Sequence, residues 1–123
     1  MDGERCDDEA EAGANEVLLT GRVSGEPQER ELPSGDHVVQ FRVVVRRATP
    51  RLAGAGSKAG VDTIDVSCWT KALQRKALRC SPGDAVTVHG ALRRRFWRAP
   101  GGPASRYEVE VTALERHRAT SRT

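Results

Sequence analysis

Residues 61–97 read VDTIDVSCWTKALQRKALRCSPGDAVTVHGALRRRFW. Two periodicities meet in this stretch. As far as Trp69, the side chains Ile64, Val66 and Cys68 alternate with Thr63, Asp65, Ser67 and Trp69, the period of two that marks a half-buried strand. From Lys71 the spacing lengthens. Leu73, Ala77 and Cys80 recur at helical intervals, Thr70 stands where an N-cap belongs, and Ser81-Pro82-Gly83-Asp84 stops the helix. Period two then returns and runs from Ala85 to Trp97.

Working outward from this strand–helix–strand unit, more strands appear on both sides. Val17, Leu19 and Val23 alternate with Leu18, Thr20 and Arg22, with Gly21 expected as a bulge or bend, and Gly25 and Pro27 then punctuate the chain. Gln28–Leu32 and Val38–Val45 flank Pro33-Ser34-Gly35-Asp36, a tight-turn composition that predicts a hairpin. Residues 48–60, ATPRLAGAGSKAG, carry no periodicity and read as a long, mobile, basic loop. After Trp97, Ala99–Ser105 is read as a turn into a last strand, Arg106–Leu114. The order places one helix between the third and fourth main strands. This layout predicts an all-β chain of OB-fold class, a five-stranded Greek-key barrel with one short helix between strands 3 and 4. The expected organisation is a disordered acidic arm over 1–14, one barrel domain over 15–115 and a disordered basic tail over 116–123.

Composition bounds the function. With 123 residues and 37% apolar content the chain has material for one domain of thin β-layers. No run approaches the ~20 apolar residues of a membrane span, and MDGERCDDEAEAGANE has neither the basic start nor the apolar stretch of a secretory signal, so a cytoplasmic location is expected. Cys6, Cys68 and Cys80 lack CxxC spacing, and His37, His89 and His117 are scattered, so neither a metal nor any other cofactor is expected. Clustered carboxylates, a nucleophile–base pair and a glycine-rich phosphate loop are all missing, which argues against an enzyme. Charge is divided sharply. Residues 1–14 hold six acids and one base, net −5, whereas residues 15–123 hold 19 bases and 11 acids, net +8. The domain itself therefore attracts polyanions.

Strand parity turns the pattern into a surface. In the third strand Ile64, Val66 and Cys68 form the apolar face, which sends Trp69 outward. In the fourth, Val86, Val88, Gly90 and Leu92 face inward and leave Arg93, Arg95 and Trp97 on the outside. Aromatic rings that stack bases, set among guanidinium groups that pair with phosphates, suit a single strand of DNA, because a duplex hides its bases. The candidate nucleic-acid-binding residues are Trp69, Trp97, Arg42, Arg46, Arg47, Lys71, Arg93, Arg95 and Arg98. Structural roles stand beside these: Trp69 as a cap on the barrel or the helix, Trp97 in a subunit contact, the arginines as a solvated face. Phe96 has core parity and is read as packing. Phe41, with Val39, Val43 and Val45, is core, and Tyr107, sharing a face with Val109 and Val111, is read as core or barrel end. An adapter OB module that contacts protein is the alternative function, and the acidic arm is either a solubilising tail or a DNA mimic that folds back on the groove.

The ordered set NEVLLTGRVSGEPQERELPSGDHVVQFRVVV, DVSCWTKAL, PGDAVTVHGALRRRFW and RYEVEVTALE, across Asn15–Glu115, resembles the bacterial single-stranded-DNA-binding protein family. The resemblance implies an OB-fold homotetramer that wraps single-stranded DNA with little sequence preference in replication, recombination or repair, at the nucleoid. It also marks Trp69 and Trp97 as stacking aromatics. Thr49 and Thr63 stand where the family usually carries two further tryptophans, which implies weaker binding or a shorter strand path. The family's Gly- and Pro-rich linker with an acidic recruiting tip has no counterpart before Thr123, which implies a short paralogue.

Overall fold

The computed structural model of the chain describes residues 13–48 and 60–117. Five strands and one helix follow one another: β1 (Val17–Glu31), β2 (His37–Arg46), β3 (Val61–Cys68), α1 (Lys71–Leu78), β4 (Ala85–Ala99) and β5 (Gly102–His117). They close into a barrel in the order β1-β2-β3-β5-β4, with β3 and β5 meeting in parallel and the other pairs antiparallel. This is the OB-fold that the sequence predicts, with the helix between the third and fourth strands.

Closure depends on β1 serving two neighbours. Its first part, Val17–Arg22, lies along β4, and its second, Arg22–Glu31, along β2. The break expected at Gly25 and Pro27 is a bulge within one continuous strand, between Ser24 and Gln28. Gly25 takes φ +80° there, and Pro27, which has no N–H to give to a ladder, falls among the unpaired residues. Gly21 is not a bulge. Its register with Val86 is regular, and glycine is required for a different reason: a Cβ would run into the carbonyl oxygen of Val44, where β1 passes from one neighbour to the other.

Inside, Val23, Val39, Phe41, Val43, Val66, Cys68, Val86, Val88, Val109, Val111 and Leu114 form the core. Full burial of such side chains contributes about 1.5–3 kcal/mol each, before the entropy of ordering them. A register shift between His89 and Gly90 leaves Thr112 as the extra residue on β5, which is why Val111 and Leu114, of opposite parity, are both buried. The helix plugs one end. Thr70 Oγ1 accepts from the Leu73 N–H at 3.3 Å, Leu73 and Ala77 are buried, and the buried Gln74 donates to the carbonyls of His37 (2.8 Å) and Cys68 (3.2 Å). Burial pushes the Cys68 thiol up to about 12 and raises that of Cys80, so neither is a ready thiolate.

Beyond the barrel, β4 and β5 continue as an arm. Residues 91–99 of β4 pair with β5 alone, and 102–108 of β5 pair with β4 alone. At the root, Asn15 grips the backbone of Leu92 in both directions, donating from Nδ2 to the carbonyl (2.7 Å) and accepting the N–H at Oδ1 (2.8 Å). The expected turn at Ala99–Ser105 is therefore mostly strand, with Pro100 and Gly101 at the tip. The last strand also runs past Leu114 to His117, whose Nε2 lies 2.7 Å from Thr87 Oγ1, so residues 116–117 belong to the barrel and not to a tail. The acidic arm over 1–12, most of the 48–60 loop and residues 118–123 lie outside the described residues.

Candidate nucleic-acid interface

The outward side chains of four strands make one polar surface. Pairing sets Gln40 beside Ser67 and Arg42 beside Asp65 across β2 and β3, Ser67 beside Glu110 across β3 and β5, and Arg93 and Arg95 beside Glu108 and Arg106 across β5 and β4. Trp97 continues the row along β4, opposite Ala104, and is 46% exposed. An open hollow of about 470 Å³, lined by Ser24, Gln28, Arg30, Gln40, Arg42, Asp65, Arg106 and Glu108 among others, lies in this surface. A second, of about 690 Å³, lies between the β1–β2 turn and the helix, where Trp69 and Lys71 line it with Gln74, Arg75, Glu29 and Asp36.

The centre is a chain of hydrogen bonds. Trp69 Nε1–H donates to Ser67 Oγ at 3.0 Å, and the Ser67 hydroxyl donates to Glu108 Oε2 at 2.8 Å. Arg95 Nε donates to that same oxygen at 2.8 Å, and its Nη2 reaches Glu110 Oε1 at 3.3 Å, which also accepts from Arg93 Nε at 3.0 Å. The Arg95 guanidinium thereby lies over the Trp69 ring, 4.8 Å from its centroid. Glu108 is the buried anchor, its side chain only 2% exposed. Period-two alternation sends Trp69 outward, as the sequence predicts, but the arm folds over it and leaves it half-buried.

The other candidate residues are distributed unevenly. Arg42 pairs with Asp65 at 3.1 Å on the same surface. Arg47, past the end of β2, pairs with Asp62 at 2.8 Å, and the guanidinium holds the Asp62 carboxyl below the usual carboxylate range. Arg46 is exposed at the end of β2, opposite Val61, and Lys71 is exposed on the first turn of α1. Arg98 does not join the group: it alternates with Arg95 and Trp97 and so points from the opposite face of the arm. Thr63 is exposed on β3 opposite Val44, and Thr49 lies outside the described residues.

Sequence reasoning put Ser67 on the outward face beside Trp69 without giving it a role, and missed Arg106, Glu108 and Glu110 as members of the surface. The alternation in RYEVEV does place Arg106, Glu108 and Glu110 on one face; the β4–β5 register sets that face beside Arg95, and only the closed barrel brings it against Ser67. Three packing assignments are corrected. Phe96 and Tyr107 are 71% and 57% exposed, and Leu92, taken as inward, is 44% exposed. Their parity is that of the core, but the arm has already left the barrel and, among the described residues, no third strand pairs with it there.

Comparison with known proteins follows the same outline. A model of the single-strand binding protein family matches residues 14–117. Among relatives, the single-stranded DNA-binding protein B of Bacillus subtilis is 28% identical over 99 residues, 80% of this chain and 84% of that one. The single-stranded DNA-binding protein of Aquifex aeolicus is 30% identical over 95 residues, 77% of this chain and 64% of that protein. Among solved structures, the Plasmodium falciparum SSB in complex with ssDNA superposes with a TM-score of 0.66 at 25% identity, covering 86% of this chain and 96% of the other.

Proposed function

The chain belongs to the single-strand binding protein family, and from that premise we propose that it coats single-stranded DNA without catalysis, with little sequence preference, along the surface that carries Trp69, Arg95 and Trp97. One observation carries this reading: two tryptophans and the Arg93–Arg95 pair share a single open face built by β3 and β4. Stacking a base on an aromatic ring contributes ~1–3 kcal/mol, and any base can provide the second ring. Phosphates are met by arginines already held in place. Arg42 and Arg93 lie against Asp65 and Glu110, so a phosphate replaces a carboxylate there instead of meeting a free cation, whereas Arg95 stays on the buried Glu108 and offers a phosphate its remaining N–H groups. Partly exposed pairs such as the first two are worth only ~0–1 kcal/mol and exchange readily. Arg46, Arg47 and Lys71 extend the positive field at the edges. In this reading the carboxylates and the missing aromatics at Thr49 and Thr63 lower affinity.

The same reading takes residues 15–115 as the binding domain and the protein as a homotetramer acting in replication, recombination or repair at the nucleoid. Among the described residues no helix is long and apolar enough to cross a membrane. The test is a titration of tryptophan fluorescence with single-stranded and duplex oligonucleotides of the same sequence. Quenching by the single strand that weakens steeply with salt, and is reduced in Trp97→Ala, supports the assignment; equal affinity for duplex overturns it. Sedimentation with and without the oligonucleotide reports the oligomer at the same time.

A further inference from the structure

The arm has a second face that the proposed surface does not use. Leu92, Arg94, Phe96 and Arg98 of β4 alternate with the front residues, and their partners across the arm are Val109, Tyr107, Ser105 and Pro103 of β5. Within the barrel this parity is core, as at Val109. Past the rim it opens to solvent, and Phe96 and Tyr107 become the most exposed aromatic rings among the described residues. Between them lies Arg94, its guanidinium carbon 5.1 Å from the Phe96 ring centroid and 5.4 Å from that of Tyr107. Ser105 Oγ accepts from both Nε and Nη2 of Arg94 at 3.2 Å, which fixes the plane of the fork.

Charge separates this face from the front. Arg93 and Arg95 are matched by Glu108 and Glu110. The back residues of the arm, 92, 94, 96, 98, 103, 105 and 107, include no acid, and neither Arg94 nor Arg98 has a carboxylate within ion-pair distance among the described residues. An exposed file of ring, guanidinium and ring, with positive charge left unneutralised, suits an anionic chain that carries flat apolar groups. This face packed against the same face of a second copy would bury Arg94 without a counter-charge, which is costly.

We infer that this back face is a second track for single-stranded nucleic acid, so that a strand leaving the front surface turns round the arm and stacks bases on Phe96 and Tyr107 while Arg94 and Arg98 meet its phosphates. The inference rests on the proposed function, since the front surface supplies the first contact.

Two lengths of DNA separate the faces. One is an oligonucleotide of about 8 bases, within the ~4–16 nucleotides that one OB-fold covers; the other is long poly(dT). The double variant Phe96→Ala/Tyr107→Ala, made at exposed positions, is expected to bind the short strand as the unaltered protein does. On poly(dT) it should occlude fewer nucleotides per chain and bind about thirtyfold or more weakly, as the loss of two stacked bases requires. Arg94→Glu should do the same on poly(dT). An unchanged site size and affinity on poly(dT) for both variants overturns the inference. So does a fall in sedimenting mass with the site size per chain unchanged, which would make the back face a contact between copies. Failure of the unaltered protein to bind the short strand overturns the front surface instead, and is read independently of either variant.

Discussion

The two faces of the β4–β5 arm carry similar residue types, and each contains arginine stacked against an aromatic ring. On the front, Arg95 covers Trp69 and is tied to the buried Glu108. On the back, Arg94 sits between Phe96 and Tyr107 with, among the described residues, only a serine hydroxyl as partner. The front is thus a preorganised but neutralised surface joined to the barrel, and the back is a charged one that no other described strand covers. Neighbouring positions on one strand differ in role because one side of the arm faces β3 and the other faces solvent.

The largest effect should come from the front. Replacing both Trp69 and Trp97 by alanine is expected to cost about 2–6 kcal/mol of affinity for a short single strand, the sum of two stacks, read by anisotropy of a labelled oligonucleotide because no tryptophan remains. Retained affinity would break the comparison, since the stacking side would then lie elsewhere. Stability should divide the faces next. Glu108→Ala leaves the Ser67 hydroxyl and Arg95 without their shared acceptor and should lower stability by about 1–3 kcal/mol, several degrees in thermal unfolding for a domain of this size. Phe96→Ala should stay within about 0.5 kcal/mol of the unaltered protein. Equal shifts in Tm would mean that the back face is packed after all.

Salt dependence gives a finer comparison. On poly(dT), Arg94→Gln should reduce the slope of log affinity against log salt by about 0.7, the value for one phosphate contact on a single strand. Arg93→Gln should reduce it by less, because the freed Glu110 counts against the remaining arginines. A control that tests neither face lies in the core they share. The Cys68 thiol, pushed up to about 12 from an ordinary 9.0, contributes fully below pH 9. That contribution is lost as pH rises toward 12, because the unfolded thiol ionises first. Cys68→Val should flatten this alkaline limb, while Phe96→Ala leaves it as it is.

Much of the fold was legible because it depends on local patterns. Thr70 announced the helix, Pro33–Asp36 the hairpin, and the alternation around Val66 and Val88 the walls of the barrel. The candidate site was legible in part. Trp97, Arg93 and Arg95 share a face by parity alone, but the grouping of Arg98 with them ignored that same parity. The Trp69–Ser67–Glu108 chain that ties Arg95 to β3 could not be seen, because Ser67 and Glu108 are 41 residues apart and meet only where β3 closes on β5.

The sequence by itself determined which side chains lie on the same side of each strand, since alternation is a property of the backbone. It also carried the family resemblance in an ordered set of motifs. Only the tertiary structure decided what each side meets. Val109 and Tyr107 have the same parity two residues apart, yet one is 2% and the other 57% exposed, because other strands lie beneath the first and no described strand lies beneath the second. Burial depends on atoms brought from distant parts of the chain, and that is why the aromatic back of the arm reads as core until the barrel is closed.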